Sequence, residues 1–147
     1  MTEKVLDQKK LFAKMQEKQN DQDLIVPPPS FTLMNSQIIE YCEDEHSLTT
    51  KILISKEWLN PYNTMQGGLI NAAIDNAVGP LSLLVAPANM TRVMETKFLK
   101  PITLDLEYIY VRALLTEIKK RRLSFEVVVT DSEKNILTQA KVINYIL

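Results

Sequence analysis

An α+β fold, in which an antiparallel sheet wraps around one long helix, is what this sequence predicts, and three observations carry the prediction. Residues 66–85 hold the only strongly apolar helical pattern in the middle of the chain: Ile70, Ala73, Ile74, Ala77, Val78 and Leu81 recur at three- and four-residue steps. The segments on either side alternate apolar with polar residues, as strands with one covered face do. The resulting order is helix, two strands, long helix, then about four strands. Such a sheet can hide its concave face only by curling around something, and the 66–85 helix is the sole candidate.

Composition bounds the rest. The chain has 147 residues, a length suited to one domain with a continuous core. A formal net charge of −1 gives no global field to attract nucleic acid or an anionic membrane, so neither is expected as a partner. One cysteine, Cys42, excludes an internal disulfide framework and fits a reducing compartment. With a single histidine, His46, a His/Cys metal site is not expected. The first ten residues are polar and charged, unlike a signal peptide, and no run of about eighteen apolar residues is expected to span a membrane. The chain reads as cytoplasmic.

Taken in order, residues 1–26 form an N-terminal helical extension and 27–147 the main domain. High charge and good helix formers predict a helix over 2–22, with Thr2 as N-cap. Its stripe of Val5, Leu11, Phe12 and Met15 is narrow, enough to dock but not to be a core. Pro27-Pro28-Pro29 ends that helix and forces an extended linker. Strands follow at 38–43 and 47–54 around the polar turn Asp44-Glu45-His46, where His46 is expected to be solvent-exposed. Cys42 is expected to be a small buried hydrophobe. After the central helix, whose Pro80 implies a bend near Gly79, a strand begins at Thr91 and stops before Pro101. In the next strand Leu104, Leu106, Tyr108, Tyr110, Arg112, Leu114 and Ile118 are expected to share the covered face. In the one after it, Leu123, Phe125, Val127 and Val129 do so, and beyond the turn Asp131–Asn135 so do Ile136, Thr138, Ala140 and Val142. Counting elements and the face each must hide gives a hot-dog arrangement with an extra N-terminal helix.

The chemistry concentrates at the entry to the central helix. Gly67 and Gly68 follow a turn and open the helix, so unpaired N–H groups and a partial positive charge meet a backbone that a ligand can approach closely. That suits an oxygen that becomes negative during acyl transfer. Asp75 lies two turns further on, with Asn71 and Ser82 on the same face, and a carboxylate in so apolar a segment needs a partner or a task. It is expected to be partly desolvated on the wall of the same groove.

The run Asn60-x5-Gln66-Gly67-Gly68-x6-Asp75-Asn76 resembles the signature of hot-dog acyl-CoA thioesterases of the phenylacetyl-CoA and 4-hydroxybenzoyl-CoA thioesterase type. That signature reads Asn-x-x-Gly-x-x-His-Gly-Gly, with an acid seven residues after the second glycine. Thr91, the end Phe98-Leu99-Lys100-Pro101, the segment Leu123-Ser124-Phe125 and the hairpin from Asp131 to Ala140 are similar to the family as well. The likeness covers 27–147. It implies hydrolysis of an acyl-CoA thioester to a free acid and CoA, with no metal and no redox cofactor; coenzyme A enters only as part of the substrate.

The resemblance also implies roles. Asp75 would activate water or attack the thioester, the Gly67 N–H would polarise the carbonyl, Asn60 would orient nucleophile or carbonyl, and Thr91 would position the water or the acid across a dimer interface. Gln66 stands where the family has histidine and keeps a donor and an acceptor but cannot titrate. Asn63 replaces the Gly of Asn-x-x-Gly and can adopt its positive φ. Gly68, Asn71 and Met65 are candidate substrate-binding positions, Asn71 either lining the pocket or facing a neighbouring subunit. Lys119-Lys120-Arg121-Arg122 is either a solvated turn or a grip for coenzyme A phosphates. A homodimer with shared sites, often paired into a tetramer, is implied. Beside the thioesterase stands the alternative of a catalytically inactive hot-dog module that binds acyl-CoA or a fatty acyl group. A hot-dog dehydratase is disfavoured, because His46 is in the wrong place.

Overall fold

The computed structural model describes residues 6–19 and 22–147. The elements are helices α1 (Gln8–Lys18) and α2 (Pro29–Leu33), strands β1 (Ser36–Cys42) and β2 (Ser47–Leu53), the central helix α3 (Gly67–Val85), and strands β3 (Asn89–Phe98), β4 (Tyr108–Lys119), β5 (Arg122–Thr130) and β6 (Ile136–Ile146). Six strands pair antiparallel in the order β1-β2-β4-β5-β6-β3. The sheet curls around α3, as a hot-dog fold requires, and β3 forms one edge.

Helix α3 is the axis of the core. Ala73, Ile74, Ala77, Val78 and Leu81 are wholly buried against the inner side of the sheet, where a buried Val, Leu or Ile stabilises by about 1.5–3 kcal/mol. By length and composition this helix could cross a membrane, contrary to the expectation that no such run exists. Its apolar face is instead spent on the sheet. The helix continues through Pro80, and Ser82 Oγ donates to Gly79 O at 2.7 Å.

Three local expectations need correction. Helix α1 starts at Gln8, capped by Asp7, whose Oδ1 accepts from Lys9 N (3.0 Å) and Lys10 N (3.4 Å); Thr2 and Val5 lie outside the described residues. Leu11, Phe12 and Met15 are buried and join the same core as α3, so the stripe is more than a docking strip. The proline run is extended only in part: Pro29 opens α2, a position where its fixed φ fits and no N–H is needed.

On β4 the buried face is Ile109, Val111 and Ala113, opposite in phase to the expected Tyr108, Tyr110, Arg112 and Leu114. Leu104 and Leu106 lie in a short 3₁₀ turn before the strand, and Ile118 is exposed beyond a register shift between Leu115 and Glu117. Both parities are apolar, so alternation alone could not choose; the tyrosine hydroxyls and Arg112 prefer the wet side. There the Lys51 ammonium sits 4.1 Å from the Tyr108 ring centroid. The expected face of β5 is buried; on β6 Thr138, Ala140 and Val142 are, while Ile136 is exposed. His46 is exposed in its turn at φ 54°, Cys42 is half-buried, and Trp58 lies in a 3₁₀ turn, Lys56–Trp58, after β2.

The β5–β6 turn is pinned by Asp131. Its Oδ1 accepts from Glu133 N and Asn135 N, and its Oδ2 from Asn135 Nδ2, all at 2.9 Å. The Asn135 side chain, then the backbone amides and the nearby Lys100 charge, hold this carboxyl below its ordinary value of 3.8. A depressed folded value stabilises the fold above the unfolded value and loses that contribution as pH falls through the folded one. The drop in urea midpoint between pH 6 and pH 3 should therefore be smaller in Asp131→Asn than in the native chain; equal drops would count against the assignment.

Candidate active site

One face of α3 stays out of the core and runs along β3. Gly67, Asn71, Asp75 and Gly79 succeed each other at four-residue steps, so they stack on one side of the helix. Three are met in turn by β3. The Phe98 ring lies over Gly67, its Cζ 3.3 Å from where a Cβ would stand. Thr96 Oγ1 donates to Asn71 Oδ1 at 2.7 Å, and Thr91 Oγ1 donates to Asp75 Oδ1 at 2.9 Å.

Thr91 and Thr96 are five residues apart, which on a regular strand puts them on opposite faces. A bulge resolves the conflict. The register with β6 shifts between Thr91 and Val93, leaving Arg92 without an opposite residue. Arg92 turns its guanidinium to the Tyr145 ring, 4.9 Å from the centroid. The extra residue thus places Thr91, like Thr96 and Phe98, against α3.

The entry to α3 is a tightly bonded turn. Asn60 Oδ1 accepts from Tyr62 N (2.9 Å) and Thr64 N (3.1 Å), while its Nδ2 donates to Thr64 Oγ1 (2.8 Å). Asn63 takes φ 61°, the left-handed conformation the glycine of the signature would supply. Asn60 therefore spends these side-chain bonds on the loop. Gln66 is the N-cap residue but makes no capping hydrogen bond; it is exposed, with Oε1 near Gly68. The amides of Gly67 and Gly68 have no acceptor among the described residues, and they sit at the positive end of α3.

Other expected positions fall elsewhere. Met65 is buried at 3 % exposure, its N–H donating to Ile102 O, so its side chain belongs to the core. Asp75 is exposed in the single chain, contrary to the expected partial burial, and its Thr91 partner comes from the same chain. The basic quartet forms the β4–β5 turn, with Lys120 at φ 57°. Arg121 donates from Nε (3.0 Å) and Nη2 (2.7 Å) to Ile146 O, and Arg122 lies 3.9 Å from Glu117. The turn is at the same end of the sheet as Thr91, through the register Leu123, Asn144, Thr91. Two of its four cations are already engaged; Lys119 and Lys120 are exposed.

Phe98 and Thr96 were not legible as site residues. Phe98 reads as a strand end, and Thr96 gains a partner only through the bulge. Among the described residues no group of His, Cys, Asp and Glu could hold a metal ion. Replacing Asn60 by alanine removes three hydrogen bonds from the turn and should cost about 1–3 kcal/mol, read as a lower urea midpoint.

No protein-family model and no curated protein matches the chain. Solved structures do. A provisionally assigned thioesterase related to phenylacetic acid degradation, from Ralstonia eutropha JMP134, superposes with a TM-score of 0.77 at 15 % identity, over 90 % of this chain and 98 % of that one. The PaaI protein of the Escherichia coli phenylacetic acid degradation operon gives 0.74 at 13 %, over 94 % and 96 %. The smu.793 protein of Streptococcus mutans UA159, solved with acetyl CoA bound, gives 0.72 at 16 %, over 86 % and 94 %. At these identities the likeness is one of architecture: the chain has the α+β hot-dog fold of these proteins, with a six-stranded antiparallel sheet around α3 and a helix ahead of it.

Proposed function

We propose that the protein is an acyl-CoA thioesterase, hydrolysing the thioester to a free carboxylic acid and CoA. The observation that carries this reading is the α3 face itself, with free amides at Gly67 and a threonine-held carboxylate at Asp75. The names of the similar structures, thioesterases and an acetyl-CoA complex, support the same chemistry.

In the reaction, Asp75 takes a proton from water as the water oxygen attacks the thioester carbon. The carbonyl oxygen becomes an oxyanion and is met by the Gly67 N–H at the helix N-terminus. Collapse of the tetrahedral intermediate breaks the C–S bond and releases the CoA thiol, which receives the proton held by Asp75. Thr91 holds one carboxylate oxygen and leaves the other for water. Gln66 cannot titrate, so no step depends on an imidazole.

The spacing of these groups supports a site shared by two chains. Gly67 and Asp75 are eight residues apart on one helix, about 12 Å along its axis, whereas an oxyanion donor and a base acting on one carbonyl must both lie within about 3 Å of the reacting atoms. Gly67 of one subunit therefore works with the partner's acid. Edge strand β3 offers the surface for it, with unpaired backbone along its free side and Met90, Val93, Phe98 and Leu99 more than half exposed. In this reading the exposure of Asp75 in the single chain is removed by the partner, and Lys119 and Lys120 remain free to meet coenzyme A phosphates.

Thiol release from short, medium, long and aromatic acyl-CoAs tests the reading. Turnover should fall about a hundredfold or more in Asp75→Asn; turnover that survives would make Asp75 structural, and binding without turnover would favour the inactive acyl-CoA-binding module, with Gln66 as the cause. Mixing Asp75→Asn with Gly67→Val chains after joint refolding should restore about a quarter of native activity, since only mixed dimers contain one intact shared site. No recovery in verified mixed dimers would sink the shared-site mechanism.

A further inference from the structure

The segment ahead of the sheet is held to the C-terminal half of α3 by specific bonds. Lys18 Nζ donates to Leu84 O (2.6 Å), and Gln19 Nε2 donates to Leu83 O (3.3 Å) and Ala86 O (3.0 Å). These are carbonyls at a helix end, where no partner exists within the helix. Ser30 Oγ donates to Asn76 Oδ1 (3.3 Å), and Asn76 Nδ2 donates back to Ser30 O (3.2 Å). The Phe12 and Phe31 rings meet edge to face, centroids 5.5 Å apart. Between this segment and α3 lies a cleft of about 360 Å³, lined by Asp75 and Thr91 together with Phe12, Met15, Leu83 and Met90.

Two features of the cleft have no account in folding. Asn144 lines it at 2 % exposure; its Nδ2 donates to Asn89 Oδ1 (2.8 Å), while its Oδ1 has no partner among the described residues. A buried acceptor left unpaired is costly and calls for a donor. Gly79, one turn beyond Asp75, also lines the cleft, and a Cβ there would meet nothing within 4 Å. Glycine is disfavoured inside a helix. Its place before Pro80 explains the missing Cβ, but not the open space beyond it.

We propose that this cleft is the acyl-binding subsite, taking an apolar acyl group of short to medium length, with the N-terminal segment as the wall that limits its length. The proposal rests on the thioesterase reading and deepens it. The cleft begins at the acid, so an acyl group entering it leaves its carbonyl beside Asp75. Phe12, Met15, Leu83 and Met90 remove its methylenes from water. The volume lies near the lower end of the range for small-molecule pockets, about 300–1,000 Å³, which suits short to medium chains. Gly79 leaves the passage clear.

The experiment fills the cleft from Gly79. Gly79→Leu projects a side chain into it; Gly79→Ala makes the same pre-proline change with little filling. The ratio of kcat/KM for octanoyl-CoA to that for acetyl-CoA should fall in the order native, Ala, Leu, by at least tenfold at Leu. An unchanged ratio in a folded, active Leu variant would overturn the subsite and leave the thioesterase reading intact. Octanoate titration followed by methionine-methyl NMR separates the two readings. It should shift the Met15 and Met90 signals of the native protein and bind Gly79→Leu at least tenfold more weakly, even if no acyl-CoA is hydrolysed. Octanoate that leaves both signals unmoved, or binds both proteins alike, would overturn the subsite.

Discussion

The structure depends on α3 having two faces that must be satisfied differently. One is apolar and can be covered only by a sheet long enough to wrap it; the other is small and polar, and lies along the edge strand β3. Burying the first fixes the rotation of the helix, and that rotation sets out Gly67, Asn71, Asp75 and Gly79 in a row beside β3. The candidate site therefore needs little machinery of its own. Hydrophobic burial orients the acid, and one threonine hydroxyl fixes its rotamer.

Much of this was legible in the sequence because the periods are unambiguous. The helical period of Ile70, Ala73, Ile74, Ala77, Val78 and Leu81 is unbroken, and the sheet that must enclose it follows from the number of strands. The left-handed Asn63 could be read from residue type, since asparagine tolerates that conformation best after glycine. The β4 face was not legible because that strand is apolar on both parities, and only tertiary context puts Tyr108 and Tyr110 outside.

The candidate site was legible to a different depth. Gly67 and Asp75 announce themselves by type and spacing. Asn60 is half legible: its type suggests a hydrogen-bonding task, but only the fold shows three bonds returning to its own turn. Met65 lies one residue before the exposed Gln66 and yet is buried, a change of side at a loop-to-helix junction that no periodicity records. The contribution of Phe12 and Met15 to the cleft was out of reach, because helices separated by some sixty residues of sequence meet only in three dimensions.

The bulge at Arg92 means that the threonine–aspartate pair is written in the parity of a strand rather than in residue identity alone. Straightening the strand without removing a residue would keep Thr91, Asp75 and the fold's composition intact, yet turn the hydroxyl to the far side of the sheet. The two ends of β3 are thereby uncoupled: the Thr96–Asn71 contact and the Thr91–Asp75 contact belong to different phases of the same strand. Substitutions can accumulate at one without dragging the other out of register. A sequence that keeps both threonines five residues apart but pairs this strand without the bulge would carry the letters of this site without its geometry.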